Sequence, residues 1–101
     1  MFEYTVTAQF TDAAVATEYT AWLTHGHLAQ VLEGGAIEAR LITLGPTSLQ
    51  VHYLFTSAEA FARYEAGPAV ALRAEGAAKF PATRGVTMSR SAGAVVALLA
   101  R

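Results

Sequence analysis

The chain has 101 residues, of which 53% are hydrophobic and 15% charged, with a net charge of −1 and no cysteine. This length suits a single domain over residues 1–101, with more apolar and fewer charged residues than an average soluble domain. The near-neutral charge argues against a nucleic-acid surface, and the lack of cysteine excludes disulfides, thiolate catalysis and zinc–thiolate sites.

The apolar excess indicates either a membrane protein or an oligomer, because a small monomer has too much surface to hide it. The longest nearly uncharged stretch near an end, residues 91–100, is about half the roughly 20 residues of a spanning helix. The first twelve residues lack the basic and apolar regions of a signal peptide. We therefore expect no membrane association but a homodimer in the reducing cytoplasm.

The first predicted element is a half-buried β-strand over Phe2–Phe10, because apolar and polar residues alternate there. Thr11 or Asp12 then supplies an N-cap oxygen for an alanine-rich helix. An apolar stripe runs along this helix at helical spacing through Val15, Tyr19, Trp22, Leu23 and Gly26.

The stripe changes face after Gly26, since Leu28 and Val31 lie on another side of a straight helix. Glycine is a poor helix former, so we predict a break between Thr24 and Leu28. A second short helix then ends at Gly34 and Gly35, which suit a left-handed C-cap.

Two strands are predicted next, over residues 36–44 and 49–56, joined by a short turn and therefore antiparallel. Ser57 is the expected N-cap of the following helix, and Pro68 suits the first turn of a further helix that Pro81 ends. Alternation returns over residues 84–90. The apolar tail, residues 91–101, either extends this strand past a bulge at Gly93 or forms a short helix.

The order is β-α-β-β-α-β, which predicts the α+β ferredoxin-like fold: a four-stranded antiparallel sheet with helices on one face. The uncovered face is too apolar for free solvent but polar enough for a wet interface, so we expect two sheets to pack face to face in a dimeric α/β barrel. The residues expected on that face are Thr5, Thr7, Gln9, Gln50, His52, Leu54, Thr56, Thr87 and Ser89.

Several short motifs occur in a characteristic order along the chain. They comprise Tyr4, Val6 and Thr7; Trp22, His27, Val31 and Leu32; Gly35, Ala39 and Leu41; Leu72, Arg73 and Glu75; and Phe80, Pro81, Ser89 and Arg90. In this order they resemble a family of short bacterial dimeric α/β-barrel proteins grouped as a domain of unknown function. The resemblance implies the fold and the dimer but no activity. Relatives commonly have a second histidine where this chain has Gly76.

The candidate site residues are His27, Trp22, Tyr4, Tyr53 and Arg73. His27, next to the helix break, is interpreted either as a ligand-binding or proton-transfer group or as a cap for a freed carbonyl. Trp22, Tyr4 and Tyr53 line a pocket or simply fill the core. Arg73 holds a carboxylate or pairs within the chain. Arg90 is interpreted as an edge charge or a dimer contact.

No metal and no cofactor are expected. His25 and His27 would diverge on a helix, and His52 is the only other histidine. Barrel-dimer relatives include cofactor-free oxygenases that use an asparagine and haem-degrading enzymes with an axial histidine on a later helix. This chain has no asparagine and no histidine between Ser57 and Phe80.

Two functions remain open. The first is binding of a small apolar or acidic molecule between helices and sheet, with or without cofactor-independent catalysis. The second is a non-enzymatic structural or interaction dimer whose pocket is filled core.

Overall fold

The computed structural model describes all 101 residues. The elements are β1 (Phe2–Phe10), α1 (Ala13–Trp22), a π-helical turn (Leu23–His27), α2 (Leu28–Glu33), β2 (Glu38–Gly45), β3 (Ser48–Phe55), α3 (Ala58–Ala66), α4 (Pro68–Lys79), a 3₁₀ turn (Ala82–Arg84) and β4 (Val86–Ala94). This is the predicted ferredoxin-like order.

The four strands form one antiparallel sheet in the order β2-β3-β1-β4. In its centre, Tyr4 is paired with Tyr53 of β3 and Val6 with Val51. On its other side β1 is paired with β4, so that Val6 also lies opposite Arg90. The side chain of Arg90 is therefore on the same face of the sheet as the buried valines.

The predicted interruption of the first helix is confirmed. Asp12 caps α1 by accepting a hydrogen bond at 2.9 Å from the backbone N–H of Ala14. The helix widens into a π-helical turn, where Gly26 leaves helical geometry. Such a turn rotates the following residues, and Val31 of α2 thereby enters the core.

The end of α2 also confirms the predicted glycine cap. Gly34 is the C-cap residue of α2, and Gly35 has a φ of 130°. The N–H of Gly35 bonds the carbonyl of Leu32, and the N–H of Ala36 bonds that of Val31. This is the Schellman arrangement. Ala36 thus belongs to the cap, and β2 begins at Glu38, two residues later than predicted.

The second half of the chain follows the prediction with one extension. Ser57 caps α3 through a 3.0 Å bond from the N–H of Ala60, and Pro68 opens α4. Strand β4 continues to Ala94, and Gly93 keeps regular pairing with Glu3, so there is no bulge. Residues 95–101 follow without regular secondary structure and expose Val96 and Leu99.

The two faces of the sheet differ as expected. Toward the helices, β1 and β3 bury Tyr4, Val6, Ala8, Phe10, Leu49, Val51, Tyr53 and Phe55. On the uncovered face, the ring of His52 lies 3.3 Å from the Thr5 hydroxyl and 3.0 Å from the Gln50 amide oxygen. No helix in the structure has the length and apolar character to cross a membrane.

Candidate functional site

A cavity of about 260 Å³ lies between the helices and the covered face of the sheet. Its wall is mainly apolar and aromatic, and includes no acidic residue. The lining residues are Tyr4, Val6, Tyr19, Trp22, His27, Val51, Tyr53, Tyr64, Leu72, Arg73, Gly76, Ala77, Phe80, Pro81, Ala82, Val86, Met88 and Arg90. All five residues singled out from the sequence belong to this one cavity.

One end of the cavity is formed by a pair of stacked rings. The imidazole of His27 lies on the indole of Trp22 with centroids 4.1 Å apart and planes inclined by 21°. The π-helical turn brings about this contact, since His27 is its last residue and Trp22 precedes it. Across from them, Gly76 of α4 leaves room for the indole, because a Cβ there would lie 3.2 Å from its edge.

The His27 imidazole is held in its neutral form. Its Nδ1 is buried and has no hydrogen-bond partner. Burial lowers the pKa of His27, with the nearby Glu75 carboxylate opposing the shift. Both ring nitrogens of an imidazolium are N–H donors, and the buried Nδ1 of His27 has no acceptor to receive its hydrogen bond. His27 therefore borders the cavity as a neutral group able to donate or accept a proton at its other nitrogen.

The predicted capping role of His27 is not found in the hydrogen bonds of its side chain. The α2 helix starts without a side-chain cap bond from His27. Near the turn, the Thr24 hydroxyl donates a hydrogen bond to the carbonyl of Thr20 at 3.0 Å. Stacking on Trp22, rather than capping, fixes the orientation of the imidazole.

Arg73 lies on the cavity wall already engaged with the protein. Its Nη1 is 2.5 Å from Oε2 of Glu65, and its Nη2 donates to the Tyr4 hydroxyl at 3.1 Å. The Glu65 hydrogen bond is the main reason why the pKa of Arg73 rises above its usual value. Most of the charge of Arg73 is thus offset within the chain. Its Nε is buried without a partner.

All four tyrosines of the chain line the cavity. Tyr4 and Tyr53 stack with centroids 5.8 Å apart, and Tyr19 packs edge-on against Phe80. Burial raises the pKa of Tyr19 and of Tyr64 to about 12, and raises that of Tyr53 further. These phenols stay protonated at neutral pH.

Three polar groups of the lining did not emerge from the sequence as site residues. Tyr19 was assigned only to the apolar stripe of the first helix, and Tyr64 was not proposed as a site residue. Arg90 was interpreted as an edge charge or dimer contact, whereas the pairing of β4 with β1 brings it to the cavity. The sequence did contain an indication of this position. Arg90 alternates with Val86 and Met88 on one face of the strand, and those two residues face the helices.

The structure contains no group of three or more His, Asp or Glu side chains arranged to hold a metal ion. His25 is exposed and does not line the cavity, so it is separate from His27. The polar groups that converge on the cavity are hydroxyls, guanidiniums and one imidazole. Groups of these kinds form hydrogen bonds and ion pairs with organic molecules in known protein pockets.

Comparisons with known proteins establish the class of fold. No family model and no curated protein matches the sequence. Among solved structures, a dimeric ferredoxin-like protein from an uncultured marine organism has a TM-score of 0.75 at 12% identity, covering 99% of this chain and 98% of that one. The ferredoxin-like resemblance expected from the sequence is therefore confirmed at the level of fold.

Two structures with bound molecules share this fold. The haem-degrader MhuD from Mycobacterium tuberculosis, with two haems in its active site, is 23% identical with a TM-score of 0.65, covering 97% of this chain and 99% of that one. A Streptomyces coelicolor monooxygenase from the gene ActVA-Orf6, in complex with nanaomycin D, is 19% identical with a TM-score of 0.69, covering 99% and 92%.

Proposed function

We propose that this protein binds a small, largely aromatic molecule in the cavity between its helices and its sheet, and that it does so as a homodimer. The observation that carries the proposal is the cavity itself. A structural module has no need of a space lined by Trp22, four tyrosines and a neutral imidazole. Natural cores are close-packed, and voids of this size within them are few.

The cavity volume limits the size of the ligand. An engineered apolar cavity of about 150 Å³ is sufficient for benzene, while drug-sized ligands occupy pockets of roughly 300–1,000 Å³. At about 260 Å³, this cavity suits a molecule of one or two fused rings. A porphyrin, with four pyrrole rings, exceeds that space unless the helices move apart.

The polar groups of the cavity favour a ligand that carries oxygen. A neutral His27 is able to accept a proton from a ligand hydroxyl, and the tyrosine hydroxyls supply further donors. Two guanidiniums and no carboxylate line the wall, so the local charge favours an acidic molecule over a basic one. Binding of MhuD to haem and of the ActVA-Orf6 protein to nanaomycin D supports a ligand site on this fold.

The homodimer is proposed from the sheet face that no helix covers. His52, Thr5 and Gln50 form a hydrogen-bonded network there, beside the half-buried Leu54. A second copy packed on this face would exclude water from a four-stranded surface. The dimeric neighbour of known structure supports this assembly. Because the chain has no cysteine, we also propose a reducing compartment, the cytoplasm.

The alternative function, a structural or interaction dimer without a ligand, predicts that the cavity stays unoccupied by any small aromatic molecule. It also predicts that substitutions in the lining alter stability only. The two functions are therefore separated by a binding measurement together with one substitution that removes a polar group from the wall.

The test is calorimetric titration of the protein with 6-hydroxy-2-naphthoate, a planar acid of two fused rings whose hydroxyl group can hydrogen-bond to His27. We expect binding that His27→Ala weakens by about 0.5–1.5 kcal/mol, the value of one hydrogen bond. His25→Ala is the matched control, since His25 is exposed and outside the cavity, and we expect it to bind like the wild type. Equal affinity in all three proteins, or no binding by a folded wild type, would contradict the proposal.

A further inference from the structure

Arg90 lines the cavity, and its charge is not paired within the protein. It forms none of the ion pairs in the structure, which involve Arg40, Arg73, Arg84 and His52. Its position on β4, opposite Val6, directs it to the helix-covered face. It is nevertheless exposed, so it stands at the rim where the cavity meets solvent.

Arg73 supplies the other guanidinium of the wall, but unlike Arg90 it is already engaged within the chain. Its charge is paired with Glu65 at 2.5 Å, and one of its N–H groups already donates to Tyr4. A ligand anion at Arg73 would have to compete with that carboxylate. An anion at Arg90 competes only with water.

We infer that Arg90 selects the ligand of this cavity and that the ligand is a planar aromatic carboxylate, an inference that rests on the proposed binding function. The rings enter the aromatic cavity while the carboxylate remains at the rim and accepts two parallel N–H bonds from the guanidinium. This bidentate geometry is the strongest that a side chain offers to a carboxylate.

The surroundings of Arg90 favour this arrangement. The cavity wall contains no carboxylate that would repel an anion. Tyr19 and Tyr64 line the same cavity as Arg90, and its positive charge partly opposes the rise in their pKa that burial causes. A rim position spares the carboxylate full desolvation, which would otherwise oppose binding.

The experiment compares two probes of the same shape, 2-naphthoate and the neutral 2-naphthamide, by calorimetric titration of the wild type, Arg90→Gln and Arg63→Gln. Arg63 is an exposed arginine of α3 outside the cavity. We expect the wild type and Arg63→Gln to prefer the carboxylate by about tenfold, as one charged hydrogen-bonded contact provides. Arg90→Gln loses this preference, and Arg90→Lys keeps part of it.

The outcomes separate this inference from the proposed function. If the wild type binds both probes equally, the cavity binds aromatic molecules but Arg90 does not select among them. If the preference for the carboxylate survives in Arg90→Gln, another group holds the anion and the inference is overturned. Binding of neither probe contradicts the proposed function together with the inference. Circular dichroism confirms that each variant is folded.

Discussion

The imidazole of His27 stacks on the indole of Trp22, five residues before it in the chain, with ring centroids 4.1 Å apart. In a regular α-helix, side chains three or four positions apart are neighbours, whereas five positions are not. The π-helical turn between α1 and α2 makes the contact possible, because its wider ring shifts the helix by one residue. A local irregularity of the backbone thus creates one wall of the cavity.

The first prediction concerns the pH dependence of stability. Burial lowers the pKa of His27 below 6.5 in the folded protein, so the unfolded chain binds more protons in the interval between the two values. Stability therefore rises with pH there and is lost as pH falls below about 6.5. We expect urea unfolding at pH 8 and pH 5 to show a smaller loss of stability for His27→Gln than for the wild type. An equal or larger loss of stability in the variant would contradict a lowered pKa for a buried His27.

The second prediction concerns the π-helical turn. Inserting an alanine after Gly26 lengthens the turn by one residue and rotates α2 by about 100°, which turns Val31 out of the core. Val31 is fully buried, so we expect a loss of about 1.5–3 kcal/mol in the free energy of unfolding.

Gly26→Ala is the control for this insertion. The substitution keeps the chain length, and a Cβ at Gly26 meets nothing within 4 Å, so it causes no clash. We expect it to change stability far less than the insertion does. Similar urea midpoints for the two variants would show that the register of α2 does not depend on the turn.

The third prediction concerns the ion pair of Arg73. Glu65→Gln removes the carboxylate that offsets the Arg73 charge and leaves a second free guanidinium on the cavity wall. Because both side chains are partly exposed, we expect a stability cost of at most about 1 kcal/mol. We expect tighter binding of 2-naphthoate and unchanged binding of 2-naphthamide. Calorimetry showing weaker binding of the acid would mean that Glu65 itself supports the ligand.

The fourth prediction concerns the dimer. Thr5 lies in the middle of the uncovered face, between His52 and Ser91 on the neighbouring strands. An arginine there would be desolvated and would prevent close packing at a face-to-face interface, which should exceed roughly 1,200 Å² in total. We expect light scattering to show a dimer for the wild type and for Thr17→Arg, whose site on α1 is exposed, but a monomer for Thr5→Arg. A monomeric wild type at micromolar concentration would refute the dimer.

Much of the fold was predictable from local patterns. Alternation identified β1, and the change of the apolar stripe at Gly26 located the break, because both reflect which side chains face the core. The start of β2 was misplaced by two residues, since the backbone bond that ties Ala36 to α2 leaves no trace in side-chain pattern.

The composition of the site was only partly predictable. Trp22, His27 and Tyr53 were identified because each is a large or polar residue beside an apolar stripe. Arg90 was not identified as a lining residue because its position depends on which face of the sheet the helices cover, and on the pairing of β4 with β1 across 84 residues of chain. The same long-range packing decides whether aromatic residues fill a core or line a cavity.

The most direct measurement is a crystal structure of the protein with 2-naphthoate bound. We expect the naphthalene rings inside the cavity, in contact with Trp22 and Tyr53, and the carboxylate at Arg90. A cavity closed by its own side chains, with 2-naphthoate absent or bound on another surface, would contradict the binding function.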